Sequence, residues 1–223
     1  MISELQAVVF DFDGVIVDSL PGIAWSLDVA LRSLGEPVAA HDEVRAIVGP
    51  PLRDGIGTLL AARKVDNDQR VIDAILTAYR ADYVTTSLRL TRLHDGVREL
   101  LARLHARGLR TAVATSKPAV ATLPLIELFE LGSEFEIICC PRDGSSDTKA
   151  DVLTMALQQL DLPGSSAAMV GDRSHDMAAA VAVGCVGIGA LWGYGSHGEL
   201  TAAGATHLAD RPDDVDGLVR ALR

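Results

Sequence analysis

From residue 95 onward, short apolar runs alternate with amphipathic helical segments, and this alternation constrains the fold more than any other feature of the 223-residue chain. The runs lie at residues 109–114, 135–140, 167–170 and 185–189, and residues 7–10 form an earlier one. Continuous apolar runs of this kind are typical of parallel strands that are buried on both faces. We therefore predict an α/β fold with a doubly wound parallel sheet and helices on both of its faces.

The segment between the first two runs has a different pattern. Helical periodicity fills it, few strand signals interrupt it, and the loop Gly49-Pro50-Pro51-Leu52-Arg53 breaks the helices. This pattern predicts a small α-helical cap domain at residues 18–87. The cap would be inserted into a core domain made of residues 1–17 and 88–223.

Charge indicates which classes of partner are disfavoured for the chain, and cysteine content indicates its cellular compartment. A formal net charge of −10 and a pI near 5.0 disfavour nucleic acid polymers and anionic membranes as partners. Three cysteines do not make a disulfide framework, and the N-terminus lacks the pattern of a signal peptide. No apolar stretch approaches the ~20 residues of a membrane span. We expect a cytoplasmic protein.

Two carboxylates follow the first apolar run directly, where ligands bind in open α/β sheets. Asp11 and Asp13 are two residues apart, so in an extended stretch their side chains share a face. One carboxylate could attack phosphorus while the other protonates a leaving alkoxide. A surface turn, in which Asp and Gly are common, is the plain alternative.

A second acidic pair follows the run at 167–170. Asp172 and Asp176 are one helical turn apart, so both could face one point. Hard oxygen ligands of this type suit Mg²⁺, although Asp172 could instead cap the next helix. His175 lies within the cluster, and we expect it behind the ligands or in solvent.

Four further residues could hold the oxygens of a phosphate. Thr115 and Ser116 end a strand before a helix, so their hydroxyl and N–H groups could contact an anion or merely cap that helix. Lys117 follows them directly. Lys149 begins a helix, where its charge opposes the helix dipole unless an anion lies nearby, which favours a functional role.

Together these residues resemble the motifs of the haloacid dehalogenase-like hydrolases, and the resemblance spans nearly the whole chain. Four motifs in chain order carry it: Asp-x-Asp-Gly-x-x-x-Asp-Ser at residues 11–19, a strand-end Thr at Thr115, a Lys at Lys149, and Gly-Asp-x-x-x-Asp at residues 171–176. Within the family the likeness is to the phosphoglycolate phosphatase-like group, in the branch often labelled 5′-nucleotidase. The segments that carry this finer likeness are residues 49–52, 143–145, 148–151 and 191–196.

The resemblance implies a role for each matching residue. Asp11 would be the nucleophile and Asp13 the general acid and base, while Lys149 would orient Asp11. The phosphoryl group would be bound by Thr115 and Lys149. The implied Mg²⁺ ligands are Asp11, Asp13, Asp172 and Asp176, with Asp13 binding through its backbone carbonyl and Asp176 acting in support. Val15 stands where the family more often has threonine.

These roles predict a Mg²⁺-dependent phosphomonoester hydrolase that acts through an aspartyl-phosphate. Its partner would be a small phosphorylated metabolite, phosphoglycolate-like or a nucleoside 5′-monophosphate, and the chain would be a monomer or homodimer. A sugar phosphomutase on the same core remains an alternative. A catalytically silent binding protein is disfavoured because no catalytic residue is missing. Asp13 disfavours a dehalogenase, and a cap with only Lys64 disfavours a phosphonatase.

Substrate choice is expected to depend on the cap. Arg53, in the proline-stiffened cap loop, carries a planar donor fork that suits a carboxylate or phosphate of the substrate. An ordinary turn between helices, with an exposed arginine, is the alternative.

Overall fold

The computed structural model describes residues 4–49, 51–142 and 146–222. Along the chain the strands are β1 (Ala7–Phe10), β2 (Val17–Asp18), β3 (Arg92–Leu93), β4 (Arg110–Ala114), β5 (Ile137–Cys139), β6 (Ala167–Gly171), β7 (Val186–Ala190) and β8 (His207–Ala209). The helices are α1 (Leu20–Ser33), α2 (His41–Ile47), α3 (Leu52–Arg63), α4 (Gln69–Leu90), α5 (Val97–Ala106), α6 (Ala119–Leu128), α7 (Lys149–Gln159), α8 (Ser174–Val183), α9 (His197–Ala202) and α10 (Pro212–Ala221).

The chain divides into two compact units. The first holds the residues up to Val17 together with those from Leu93 onward, and the second holds Asp18–Arg92. The chain passes from one unit to the other through β2 and β3, which pair as a two-stranded sheet.

Six strands of the first unit form one parallel sheet in the order β5-β4-β1-β6-β7-β8. β1 is central, and its Ala7 lies opposite Arg110 of β4 and Ala167 of β6. All four residues of β1 are buried, as the continuous apolar run predicts. Successive strands run outward from β1 on one side and from β6 on the other, so the topological switch point lies between β1 and β6.

Helices cover this sheet and confirm the predicted α/β architecture. α7 and α8 pack together against the face that carries Ala7, Val9 and Met169. α5 and α10 pack against each other and contact β4 and β8. Side chains alternate along a strand, so their neighbours on β1 and β6, such as Val8 and Val170, face the other side of the sheet.

The second unit is helical, and α1 and α4 form its main packed pair. Leu27 and Leu31 of α1 and Ile75 of α4 are fully buried there. The predicted cap ends at residue 87, whereas α4 continues to Leu90 and the helical unit to Arg92. The last turns of α4 bury the polar residues Thr86 and Ser87, which hide the apolar periodicity.

The interhelical loop and the C-terminal region also differ from expectation. Pro50 of the predicted cap loop, and residues 143–145, lie outside the described residues. Pro51 precedes α3, so Arg53 belongs to the first turn of that helix rather than to a loop. α9 and β8 were not predicted, because both are short and β8 contains a histidine. Among the described residues, no helix is long and apolar enough to span a membrane.

Candidate active site

Asp11 lies directly beyond the end of β1, at the carboxyl edge of the sheet. Its N–H donates to the carbonyl of Val170 at 2.9 Å, and its Oδ1 accepts from the N–H of Phe12 at 2.7 Å. Gly14 then turns the chain with a φ of 86°, a conformation that residues with a Cβ rarely adopt. The side chain of Asp11 is nearly fully buried, so any charge on it must be balanced inside the protein.

Lys149 balances part of that charge from the first turn of α7. Its Nζ lies 2.6 Å from Oδ1 of Asp11 and 2.9 Å from Oδ1 of Asp176, and it donates to the carbonyl of Ala114 at 3.0 Å. Burial alone would lower the pKa of Lys149, but the two facing carboxylates raise it above its usual value. The lysine is therefore held as a cation against the Asp11 carboxylate.

Three buried carboxylates, Asp11, Asp172 and Asp176, nevertheless lie in this region, and among them Lys149 contacts only Asp11 and Asp176. Burial raises the pKa of Asp11 to about 7, although Lys149 opposes the shift. Burial and the charges of Asp176 and Asp11 also raise the pKa of Asp172. The pKa of Asp176 is lowered, because Lys149 and His175 outweigh the effect of burial. The cluster thus carries more negative charge than the lysine neutralises, which favours binding of a cation.

The oxygen atoms of Asp172 fit a hard cation. Oδ2 accepts from the N–H of Tyr194 at 2.7 Å. Oδ1 is buried and has no hydrogen-bond partner within the described parts of the chain. A separate group of ligand atoms, one each from Asp11, His175 and Asp176, lies within 4.8 Å of one another. The carboxylate oxygens of Asp11, Asp172 and Asp176 are ligands that suit Mg²⁺. The structure also places His175 closer to the carboxylates than the sequence indicated.

Lys117 contacts Asp13, a pairing that the sequence did not predict. Its Nζ lies 3.1 Å from both carboxylate oxygens of Asp13, and both side chains are largely buried. The N–H of Lys117 donates to Oγ1 of the buried Thr115 at 3.1 Å. Thr115, Ser116 and Lys117 therefore follow β4 at the same sheet edge as Asp11.

Arg53 belongs to the second unit and has partners there. Its guanidinium donates to Oε1 of Gln69 at 2.8 Å and to Oδ1 of Asp73. Both partners lie on α4, and the arginine side chain is 45% exposed. The structure thus gives Arg53 a role in joining α3 to α4.

The segment at residues 191–196 contacts the site although the sequence assigned it no role. Tyr194 contributes a backbone N–H to Asp172, and Nε1 of Trp192 donates to the carbonyl of Val15 at 3.1 Å. A hydrogen bond from a backbone N–H cannot be recognised from the sequence, because every residue except proline has that group. The available signal is indirect, because Gly193 and Gly195 flank Tyr194 and glycine permits close approach of the backbone.

Comparison with known proteins agrees with this geometry. The model of the haloacid dehalogenase-like hydrolase family matches residues 8–190. The chain belongs to this family, and it is an enzyme of the phosphatase class.

Individual relatives differ in the activities that their names state. The tyrosine-protein kinase PtkA of Mycobacterium tuberculosis is 40% identical over 218 residues, which cover 97% of this chain and 72% of that protein. A 5′-nucleotidase of Pseudomonas aeruginosa is 34% identical over 205 residues, covering 90% and 89%. The crystal structure of a predicted phosphatase from Clostridium acetobutylicum superimposes with a TM-score of 0.88 at 30% identity, covering 98% and 100%.

Proposed function

We propose that this chain is a Mg²⁺-dependent phosphomonoesterase that forms an aspartyl-phosphate intermediate on Asp11. The observation that carries the proposal is the buried contact of 2.6 Å between Nζ of Lys149 and Oδ1 of Asp11. A fixed cation favours the ionised carboxylate, and only the ionised carboxylate is a nucleophile. Lys149 also keeps the carboxylate in one orientation at the carboxyl edge of the sheet.

In the first step, Asp11 would attack the phosphorus of a bound phosphate monoester. A bond forms between a carboxylate oxygen and phosphorus, and the bond between phosphorus and the leaving oxygen breaks. Asp13 would donate a proton to that oxygen, so the product leaves as an alcohol. Thr115, Ser116 and Lys149 would hold the oxygens of the transferring phosphoryl group.

In the second step, Asp13 would take a proton from water, and that water would attack the phosphorus of the aspartyl-phosphate. Inorganic phosphate leaves, and Asp11 returns as a carboxylate. Lys117 supports both steps in this scheme, because its contact with both oxygens of Asp13 fixes the position of that side chain.

Divalent-cation binding would involve Asp11, Asp13 and Asp172, with Asp176 in support. Bound Mg²⁺ neutralises charge on the phosphoryl group and helps to align it for attack. The buried, unpartnered Oδ1 of Asp172 supports this assignment most directly. Without a cation, burial and the neighbouring carboxylates favour the protonated form of Asp172.

For the substrate we propose a small phosphorylated metabolite, either a nucleoside 5′-monophosphate or a phosphoglycolate-like ester. The identity of 34% to a 5′-nucleotidase supports the first class. The likeness of the motifs to phosphoglycolate phosphatases supports the second. We propose a cytoplasmic location, with the chain as a monomer or homodimer.

The direct test is hydrolysis of p-nitrophenyl phosphate with and without Mg²⁺, followed by a panel of phosphorylated metabolites. We expect Mg²⁺-dependent release of phosphate and a preference for one ester class in the panel. Full turnover after treatment with a chelator would contradict the role of the cation. Conversion of a sugar phosphate to its isomer, without release of phosphate, would instead support a phosphomutase.

The identity of 40% to a protein named as a tyrosine kinase favours a second candidate, transfer of a phosphoryl group to a tyrosine hydroxyl. The same nucleophile could pass phosphate from a nucleoside triphosphate to tyrosine instead of to water. Incubation with γ-labelled ATP and a tyrosine peptide distinguishes transfer to tyrosine from hydrolysis. Label in phosphotyrosine would support the transferase, and label in inorganic phosphate alone would support the hydrolase.

A further inference from the structure

The segment at residues 191–196, here called the glycine loop, encloses one side of the Asp172 side chain. The N–H of Tyr194 donates to Oδ2 of Asp172 at 2.7 Å. A Cβ atom on Gly193 would overlap the Asp172 side chain, and a Cβ atom on Gly195 would overlap the Asp172 carbonyl oxygen. The backbone of the glycine loop therefore lies in direct contact with Asp172, as glycine alone permits.

The chain after Asp11 encloses the other side of the same carboxylate. A Cβ atom on Gly14 would overlap Oδ2 of Asp172 and would lie 3.0 Å from the ring of Tyr194. Asp172 is itself fully buried. Two backbone segments that are far apart in sequence thus meet at one carboxylate oxygen.

Trp192 joins these two segments. Its indole N–H donates to the carbonyl of Val15 at 3.1 Å, one residue beyond Gly14. This bond is one of the contacts that hold the glycine loop against the segment after Asp11. It therefore helps to fix the position of the Tyr194 N–H that donates to Oδ2 of Asp172.

We propose that Trp192 is a positioning residue for the divalent-cation site. By fixing the glycine loop, it keeps Oδ2 of Asp172 bonded to Tyr194 and directs the unpartnered Oδ1 to the cation. This inference rests on the proposed function, because it assumes that a divalent cation binds at Asp172. Hydrogen-bonding groups that orient a metal ligand are typically worth roughly 10–100-fold in metal affinity or activity.

The test compares Mg²⁺ binding by the unmodified protein, Trp192→Phe and Trp25→Phe, measured by calorimetry without substrate. Phenylalanine keeps an aromatic ring at position 192 and removes the N–H donor. Trp25→Phe is the matched control, because Trp25 lies on α1 in the second unit and is 57% exposed. We expect the Kd for Mg²⁺ to rise roughly 10–100-fold in Trp192→Phe and to stay unchanged in Trp25→Phe.

Turnover separates positioning from a general loss of structure. At saturating Mg²⁺ the kcat of Trp192→Phe should approach that of the unmodified protein, while the Mg²⁺ concentration at half-maximal activity rises. An unchanged Kd in Trp192→Phe would overturn the inference and leave the proposed function intact. Absence of Mg²⁺ binding by the unmodified protein would instead contradict the proposed function.

If Trp192→Phe does not fold, Trp25→Phe provides a second test, because Trp192 is then the sole tryptophan. We expect its fluorescence to change on titration with Mg²⁺, with a midpoint equal to the calorimetric Kd. Fluorescence that stays constant through the titration would overturn the inference.

Discussion

Nζ of Lys117 lies 3.1 Å from both carboxylate oxygens of Asp13, across 104 residues of sequence. The pair is largely buried, so the two opposite charges compensate each other. In the proposed mechanism Asp13 transfers protons, and Lys117 determines where that carboxylate lies. The same lysine follows Thr115, which links the proton-transfer group to the proposed phosphate-binding edge.

Substitution of Lys117 by methionine should therefore impair proton transfer. We expect a loss of about 10²–10⁴-fold in kcat for an alkyl phosphate, the usual contribution of a general acid and base. An aryl phosphate needs less protonation of its leaving group. The rate at which it phosphorylates Asp11 in a single turnover should therefore fall less than the rate for the alkyl phosphate. Equal losses in that rate for both esters would indicate that Lys117 acts on the phosphoryl group instead.

Substitution of Asp13 by asparagine tests the acid itself. Asparagine keeps the shape of the side chain but cannot donate a proton to the leaving oxygen. In single-turnover measurements we expect phosphorylation by an alkyl phosphate to slow far more than phosphorylation by p-nitrophenyl phosphate. Steady-state turnover of both should fall, because removal of phosphate from Asp11 still needs a base. Retention of the alkyl phosphate rate would argue against Asp13 as the acid.

Substitution of Lys149 by methionine should remove the cation that faces Asp11 and Asp176. We expect kcat to fall by about 10²–10³-fold or more, as for loss of one preorganised electrostatic group. Lys64→Met is the matched control, because Lys64 is exposed at the end of α3. Steady-state kinetics on p-nitrophenyl phosphate measure both variants. Comparable activity in the two variants would remove Lys149 from the mechanism.

The helical unit provides a prediction about pH. Hydrogen bonds from Arg63, with help from the N–H of Ala40, lower the pKa of Glu43 to about 2. A lowered pKa stabilises the folded state above the unfolded value of about 4.3, and this stabilisation is lost as the pH falls through the folded value. Glu43→Gln should thus cost about 1 kcal/mol or less of unfolding free energy near neutral pH, because the pair is partly exposed.

Denaturant unfolding at several pH values measures this effect. The difference between Glu43→Gln and the unmodified protein should shrink as the pH approaches 2. Asp42→Asn is the control, because the Asp42 side chain is fully exposed on the same helix, α2. A difference that is constant with pH would show that the carboxylate charge of Glu43 does not stabilise the unit.

The sequence predicted the sheet well, because parallel strands covered on both faces need continuous apolar residues. The sequence also singled out Lys149, since a lysine at a helix start is unfavourable without a nearby anion. The structure places its Nζ 2.6 Å from Oδ1 of Asp11. Other features left no local signal. The contact of Lys117 with Asp13 depends on how two strands pair, and the bond from Tyr194 to Asp172 uses a backbone group. The end of α4 was obscured because Thr86 and Ser87 are buried polar residues.

The identity of the phosphorylated residue tests the proposed mechanism at its first step. A single turnover with Mg²⁺ and substrate is quenched in acid, the acyl phosphate is reduced with borohydride, and the peptides are analysed by mass spectrometry. The proposed mechanism predicts modification at Asp11 alone. It also predicts that modification is absent in Asp11→Asn, which should lose turnover while remaining folded. A modified residue elsewhere in the chain, or full turnover by Asp11→Asn, would contradict it.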